Sequence, residues 1–239
     1  MTTARPSAIL FDLWGTLIAP RVERRDAVSR LIARDPSVAP DAFLAAVPAS
    51  HAERFVSGTG SLVETLRLLA RHCGGEPDDA ALARAAARRL AMTRELLVAD
   101  DETLTVLDTL RERGLALGLV SDSSIETPTA WFDSALAQRF VATAFSCLVG
   151  ARKPDPAIYL AVTRQLGVEP DVCLYVGDGD GHELSGAASL GMTAVRLAGF
   201  AGPGGGHYDD DVAFAGPEIA RLRDLFDLVG KLDAPEGAL

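Results

Sequence analysis

Phe11-Asp12-Leu13-Trp14-Gly15-Thr16-Leu17 and Val176-Gly177-Asp178-Gly179-Asp180-Gly181-His182-Glu183 are the two stretches that decide the fold. Each closes an apolar run, 7–13 in the first case and 172–176 in the second. Continuous apolar runs of this length form strands buried on both faces of a parallel sheet. Each run then turns through glycine and carries a carboxylate at the turn. A carboxylate at the end of a buried strand is costly unless it is paired or put to use. Asp12 therefore reads as a nucleophile or metal ligand, with a turn-capping aspartate as the plainer reading. Alternation along the first strand sets Ile9, Phe11 and Leu13 on one side and Leu10, Asp12 and Trp14 on the other.

Working outward, the stretches 21–34, 40–54, 59–72 and 77–97 have helical character and almost no strand signal. Pro36, Pro40, Gly58, Gly74, Gly75 and Pro77 mark their breaks. From residue 100 onward strands and helices alternate. Helices are expected at 103–113, 128–138, 155–166, 183–190 and 217–228. Strands are expected at 115–120, 141–145, 172–176 and 193–197, with a last short one at 212–215. The stretch 198–206 reads as a glycine-rich turn. Such alternation predicts an α/β fold: a Rossmann-like, mostly parallel sheet with helices on both faces. The first strand must join that sheet, so the helical stretch 19–97 is an insertion after it. The expected division is a core of 1–18 and 98–239 and a helical domain of 19–97. Active sites in such sheets lie at the carboxyl ends of the strands, where the insertion would sit as a lid.

Composition limits the function classes. The chain has 239 residues, 48% of them hydrophobic, and a formal net charge of −10. The acidic balance argues against a nucleic-acid partner, which needs clustered Lys and Arg. No apolar run is long enough for a membrane span or a secretory leader. Cys73, Cys147 and Cys173 form no CxxC pair and read as buried small hydrophobes. A cytoplasmic enzyme acting on a small molecule, as monomer or homodimer, is expected.

The candidate chemistry lies on four strand-end segments. Ser121 follows the run 115–120 and can donate to a phosphoryl or carboxylate oxygen, although Ser-Asp-Ser-Ser is also a natural helix cap. Lys153, between Arg152 and Pro154, can neutralise both a carboxylate nucleophile and a transferring group. Asp178, Asp180 and Glu183 crowd together after the strand 172–176, and such like charges repel unless a cation relieves them. Mg²⁺ suits these oxygen donors, with Asp178 the direct ligand and Glu183 acting through water or holding Lys153. Asp180 and Glu183 as simple helix caps, and His182 as a lone exposed histidine, are the plainer alternatives. Gly15 and Thr16 let the first loop turn and offer N–H groups to a substrate. Arg21, Arg24, Arg25 and Arg54 of the insertion are candidates to meet an anionic substrate.

Taken in order, these segments resemble the four motifs of the haloacid dehalogenase-like (HAD) hydrolase superfamily. FDLWGTL places Asp12 on the nucleophile, LGLVS places Ser121 on the motif-two hydroxyl, and ARKPDP places Lys153 on the motif-three lysine. VGDGDGHELSGAASLGM places Asp178 and Glu183 on the acidic positions of motif four. The insertion is similar to the family's C1 cap. The resemblance implies a Mg²⁺-dependent phosphatase working through an aspartyl-phosphate, with Asp12, the Trp14 carbonyl and Asp178 around the metal. It also exposes a departure. Phosphatases of the family carry a second aspartate where this chain has Trp14, and an indole cannot shuttle a proton. Asp122, next to Ser121, or a group on the substrate itself is the expected substitute, with Trp14 and Thr16 lining the substrate pocket. The alternatives are a metal-independent 2-haloacid dehalogenase, which has an aromatic residue at the Trp14 position, and a weakly catalytic or non-catalytic binding protein. A phosphonatase would need a lysine in 19–97, and there is none.

Overall fold

The structure is a computed structural model, and it describes residues 6–56, 60–198 and 211–233. Among the described residues six strands form one sheet: β1 Ala8–Phe11, β2 Ala116–Ser121, β3 Ala142–Phe145, β4 Cys173–Gly177, β5 Thr193–Leu197 and β6 Glu218–Ile219. Their order is β3-β2-β1-β4-β5-β6, and every pairing is parallel. The chain therefore runs outward from β1 in both directions, and the order reverses between β1 and β4. That reversal opens a crevice at the carboxyl ends of the two strands.

Helices α1 Val22–Ile32, α2 Pro40–Ala49, α3 His51–Arg54, α4 Leu62–His72 and α5 Asp79–Leu96 follow β1. The remainder, α6 Asp101–Glu112, α7 Glu126–Trp131, α8 Ser146–Val149, α9 Pro156–Leu166, α10 Glu183–Ser189 and α11 Leu225–Asp233, belong to the sheet layers. Local chemistry explains the boundaries. Asp78 and Asp100 accept the N–H groups of Ala81 and Thr103, each at 2.7 Å, and so start α5 and α6. Asp155 caps α9 ahead of Pro156, and Gly167 ends it at φ 69°.

Three apolar clusters result. Ile9, Phe11, Leu117, Leu119 and Val176 pack beneath Val106, Leu107, Leu110, Leu225 and Val229. On the opposite face, Leu10, Val120 and Tyr175 meet Ile158, Val162, Leu184 and Ala187. Ile32, Phe43, Leu66, Leu69, Leu82 and Ala85 form a separate core among the inserted helices. The fold is thus a Rossmann-like parallel sheet with a helical cap. Cys147 and Cys173 are buried in it, Cys73 half-buried, and all three are free.

Several local expectations need correction. The helix expected over 40–54 breaks at Ser50, whose backbone leaves helical geometry, and continues as α3. The one expected at 128–138 is the short α7 followed by a 3₁₀ turn at Ala137–Arg139. α8 has no counterpart among the helices expected from the sequence. No strand forms at 212–215: Val212 faces solvent, and Asp211 instead donates its N–H to the Gly179 carbonyl. The edge strand is β6, where Arg196 and Ala198 donate to the carbonyls of Pro217 and Ile219. The closing helix starts at Leu225 instead of 217, after a 3₁₀ turn at Leu222–Asp224. Trp14 also departs from strict alternation. The strand ends at Phe11, and the turn lays the indole against the cluster of Ile9, Phe11 and Leu13. The glycine-rich stretch 198–206 lies, apart from Ala198, outside the described residues.

Candidate active site

Asp12 and Asp178 leave the carboxyl ends of neighbouring strands, β1 and β4, at the point where the sheet order reverses. The Asp12 N–H still donates to the Val176 carbonyl at 2.9 Å, which fixes the loop in register with β4. Gly15 follows at φ 90°, and a Cβ there would lie 2.1 Å from Asp178 Oδ2. Glycine is therefore required for the two loops to approach. Carboxylate oxygens of Asp12, Asp178 and Glu183 come within 4.8 Å of one another, a group able to hold a divalent cation.

Lys153 is the cation that this cluster already contains. Its ammonium, buried, donates to Asp12 Oδ1 at 2.5 Å and to Glu183 Oε2 at 2.6 Å. Glu183, fully buried at the start of α10, is heavily engaged. Its Oε2 also accepts the Tyr175 hydroxyl at 2.8 Å, and its Oε1 accepts the Gly179 N–H at 3.0 Å. Its backbone carbonyl accepts the Tyr159 hydroxyl. A Cβ on Gly177 would lie 2.0 Å from Glu183 Oε1, so this position too depends on glycine. Asp180 donates its N–H to Asp178 Oδ1 at 3.1 Å. His182 is exposed, at φ 60°, with Nδ1 3.7 Å from Asp211.

The electrostatics follow from burial. Desolvation pushes the Asp12 carboxyl well above the usual range, opposed by Lys153 and reinforced by Glu183 and Asp178. Asp178 is pushed up to about 7, first by burial and then by Glu183. Burial disfavours the Lys153 charge, yet Asp12, Glu183 and Asp122 outweigh it and hold the ammonium well above its ordinary value. Lys153 thus stays charged, while Asp12 and Asp178 share a region with more negative charge than one lysine satisfies. The cluster also leaves Asp12 Oδ2 buried without a hydrogen-bond partner. Both observations fit a divalent cation, as does the oxygen-only donor set.

Two hydroxyls complete the floor. Ser121, the last residue of β2, and Thr16 are each about fully buried, and Ser121 Oγ and Thr16 Oγ1 have no partner. Unpaired buried polar atoms are uncommon and call for an explanation such as a ligand site. The loop after β2 is pinned at each step. Asp122 Oδ1 accepts the Lys153 N–H at 3.0 Å, and Ser123 N–H donates to Ser146 Oγ at 3.0 Å. Burial raises the Asp122 carboxyl to about 6, against the opposing pull of Lys153.

Above the floor, a cavity of about 290 Å³ lies between the cap and the core. Its lining includes Trp14, Gly15, Asp122 and Ser123 from the core, and Arg21, Arg25 and Arg54 from the cap. Arg24 lies apart, paired with Glu95 at the surface. In the first loop, Gly15 N–H donates to the Ile18 carbonyl and Ile18 N–H to the Leu13 carbonyl. That pairing leaves the Trp14 carbonyl outside it.

The structure adds a feature that sequence reading did not reach. Glu126, buried at the start of α7, accepts both Nε and Nη2 of Arg89, at 3.0 and 2.7 Å. Arg54, 2% exposed, lies 3.9 Å from the same carboxylate and donates to Ser124 Oγ at 2.8 Å. Burial alone would raise Glu126, but Arg89 and Arg54 overcome it and hold the carboxyl down at about 2. Two cap helices are thereby fastened to the loop that follows Ser121 and carries Asp122. The sequence cues were Arg54, one of several arginines of the insertion, and an acidic residue just beyond a serine-rich turn.

The family model for haloacid dehalogenase-like hydrolases matches residues 6–191. A glyceraldehyde 3-phosphate phosphatase from Methanopyrus kandleri is 30% identical over 69% of this chain and 71% of its own. A phosphoglycolate phosphatase from Pseudomonas putida is 30% identical over 80% of this chain and 69% of its own. Among solved structures, the L-2-haloacid dehalogenase from Xanthobacter autotrophicus is similar, with a TM-score of 0.66 at 21% identity, over 95% of this chain and 99% of that one. That last likeness is one of fold.

Proposed function

The chain belongs to the haloacid dehalogenase-like hydrolase family, and from that membership and the site geometry we propose a Mg²⁺-dependent phosphohydrolase acting on a small phosphorylated metabolite. The observation that carries the reading is Asp178 beside Asp12, with one Asp12 oxygen buried and unpartnered. Attack on carbon by a dehalogenase has no use for a second carboxylate there. It would place more negative charge against a carboxylate substrate. The curated relatives named as phosphatases support the same choice. In this reading 19–97 is a C1-type cap over a core of 1–18 and 98–239, and Trp14 replaces the second aspartate of motif one.

Asp12, Asp178 and the Trp14 carbonyl would hold Mg²⁺, which when bound supplies positive charge against the carboxylates and the phosphoryl oxygens. Glu183 is better assigned as the anchor of Lys153 than as a direct ligand, because both its oxygens already accept hydrogen bonds. A carboxylate oxygen of Asp12 attacks phosphorus, the phosphorus–oxygen bond to the leaving group breaks, and an aspartyl-phosphate forms. Lys153, Ser121 and Thr16 donate to the phosphoryl oxygens. Asp122, protonated below about 6, gives its proton to the departing alkoxide and takes one from the water that attacks the phosphoryl group. Phosphate leaves, and Asp12 returns to its carboxylate form.

The test is phosphate release from a panel of monoesters, with Mg²⁺ and with chelator, set beside chloride release from 2-chloropropionate. Mg²⁺-dependent phosphate release that disappears in Asp12→Asn is expected. Chelator-insensitive chloride release without phosphatase activity would overturn the reading in favour of a dehalogenase.

A further inference from the structure

The cavity between cap and core is large and mostly apolar compared with the leaving groups named for the curated relatives. Trp14, Leu44, Val47, Phe55, Met92 and Leu96 all line it. A compact hydroxy acid such as glycolate offers few carbon atoms to cover such walls, and the wall area it left wet would contribute nothing to binding. At the core side two lining residues carry buried, unpartnered oxygens: Ser123 Oγ and Glu126 Oε2. Ser123 is 2% exposed and Glu126 4% exposed, so bulk water does not readily satisfy either. The Glu126 carboxylate already accepts from Arg89 and Ser124, and since it cannot donate, any further partner at Oε2 is a donor. Arg54 and Arg89, both against Glu126 Oε1, disfavour a cationic donor.

We propose that this cavity binds the leaving group, and that the substrate is the phosphomonoester of a bulky, largely apolar alcohol or phenol bearing a neutral hydroxyl or N–H donor. The inference rests on the phosphohydrolase reading and adds the substrate class to it. The phosphoryl group sits over Asp12, Ser121 and Lys153. The apolar body lies against Trp14 and the cap side chains, and the distal donor reaches Glu126 and Ser123. Trp14 then has a function in place of the missing aspartate: it is an aromatic wall for the leaving group.

The experiment compares alcohols of similar acidity, so that leaving-group chemistry does not decide the outcome. Ethyl phosphate, 2-phenylethyl phosphate, 2-(4-hydroxyphenyl)ethyl phosphate and 2-phosphoglycolate are assayed with Mg²⁺ for kcat/KM. A gain of at least about tenfold from ethyl to 2-phenylethyl is expected, and a further several-fold gain from the added hydroxyl. Ser123→Ala should reduce the hydroxyl's advantage, and Leu44→Trp, which narrows the cavity, should lower the phenylethyl-to-ethyl ratio at least about tenfold. Equal kcat/KM for ethyl and phenylethyl esters, or a preference for phosphoglycolate, overturns this inference and leaves the phosphohydrolase reading standing. Turnover of no phosphomonoester, together with chloride release from 2-chloropropionate, overturns both.

Discussion

At the residue scale, the proposed phosphohydrolase has Trp14 in place of a proton shuttle and gives that role to Asp122, a carboxyl that borders the cavity. Its placement is specific: Oδ1 is tied to the Lys153 N–H, and the loop on either side is held by β2 and Ser146. Replacing it with Asn keeps much of the shape and removes the proton. Asp122→Asn should lower kcat for alkyl phosphates by about 10²–10⁴-fold, and by much less for aryl phosphates, whose leaving groups need no proton. Because the donor is the protonated form, alkyl phosphate turnover should fall as pH rises through about 6, and the variant should lose that limb. A pH–rate profile of both ester classes checks this. Lys153 gives a second prediction. Tyr175→Phe removes one of the hydrogen bonds that hold Glu183 against the lysine, at about 1 kcal/mol of stability. Thermal unfolding beside a kcat measurement separates the lost bond from a displaced lysine.

At the scale of elements, the loop from β2 into α7 joins cap to core through Glu126. Its carboxyl is held at about 2 from an ordinary 4.5, so the folded state favours its charged form. A depressed carboxyl contributes stability that is present above its unfolded pKa. That contribution, roughly 3 kcal/mol, should be lost as pH falls from about 4.5 toward about 2. Glu126→Gln should remove this acid transition and, by leaving buried Arg54 and half-buried Arg89 without their anion, destabilise the fold by about 3–5 kcal/mol at neutral pH. Denaturant unfolding at several pH values measures both effects. The contrast with the floor of the candidate site shows what sequence conveys. Asp12, Ser121 and Asp178 could be located because each ends a continuous apolar strand, and strand ends meet at one edge of a parallel sheet. Lys153 could be located because two prolines stiffen its loop. The Glu126–Arg89–Arg54 network could not. Its arginines sit on α5 and α3, far from Glu126 in the chain, and look like the many surface arginines around them. β6 was misplaced for a similar reason. A two-residue strand has no period of its own, and its register is set by hydrogen bonds from β5.

At the scale of the whole molecule, six parallel strands bring carboxylates from β1 and β4 together and leave the cap above them. No helix among the described residues is long and apolar enough to cross a membrane. The floor carries more carboxylates than Lys153 neutralises, so a bound cation should stabilise the native state as a whole. Mg²⁺ at about 100 times its dissociation constant should add about 2.7 kcal/mol. That corresponds to a rise of roughly 5–10 °C in Tm for a chain of this size. Asp178→Asn should abolish most of that rise. The central claim, that Asp12 attacks phosphorus, is tested most directly by trapping the covalent intermediate. Wild-type protein with Mg²⁺ and a phosphomonoester is acid-quenched during turnover, and the peptide containing Asp12 is analysed by mass spectrometry. A phosphoryl group on Asp12, absent from Asp12→Asn and from chelated protein, is the predicted result. An unmodified peptide from phosphomonoesters, with an ester adduct on Asp12 from 2-chloropropionate in chelator, would contradict the account.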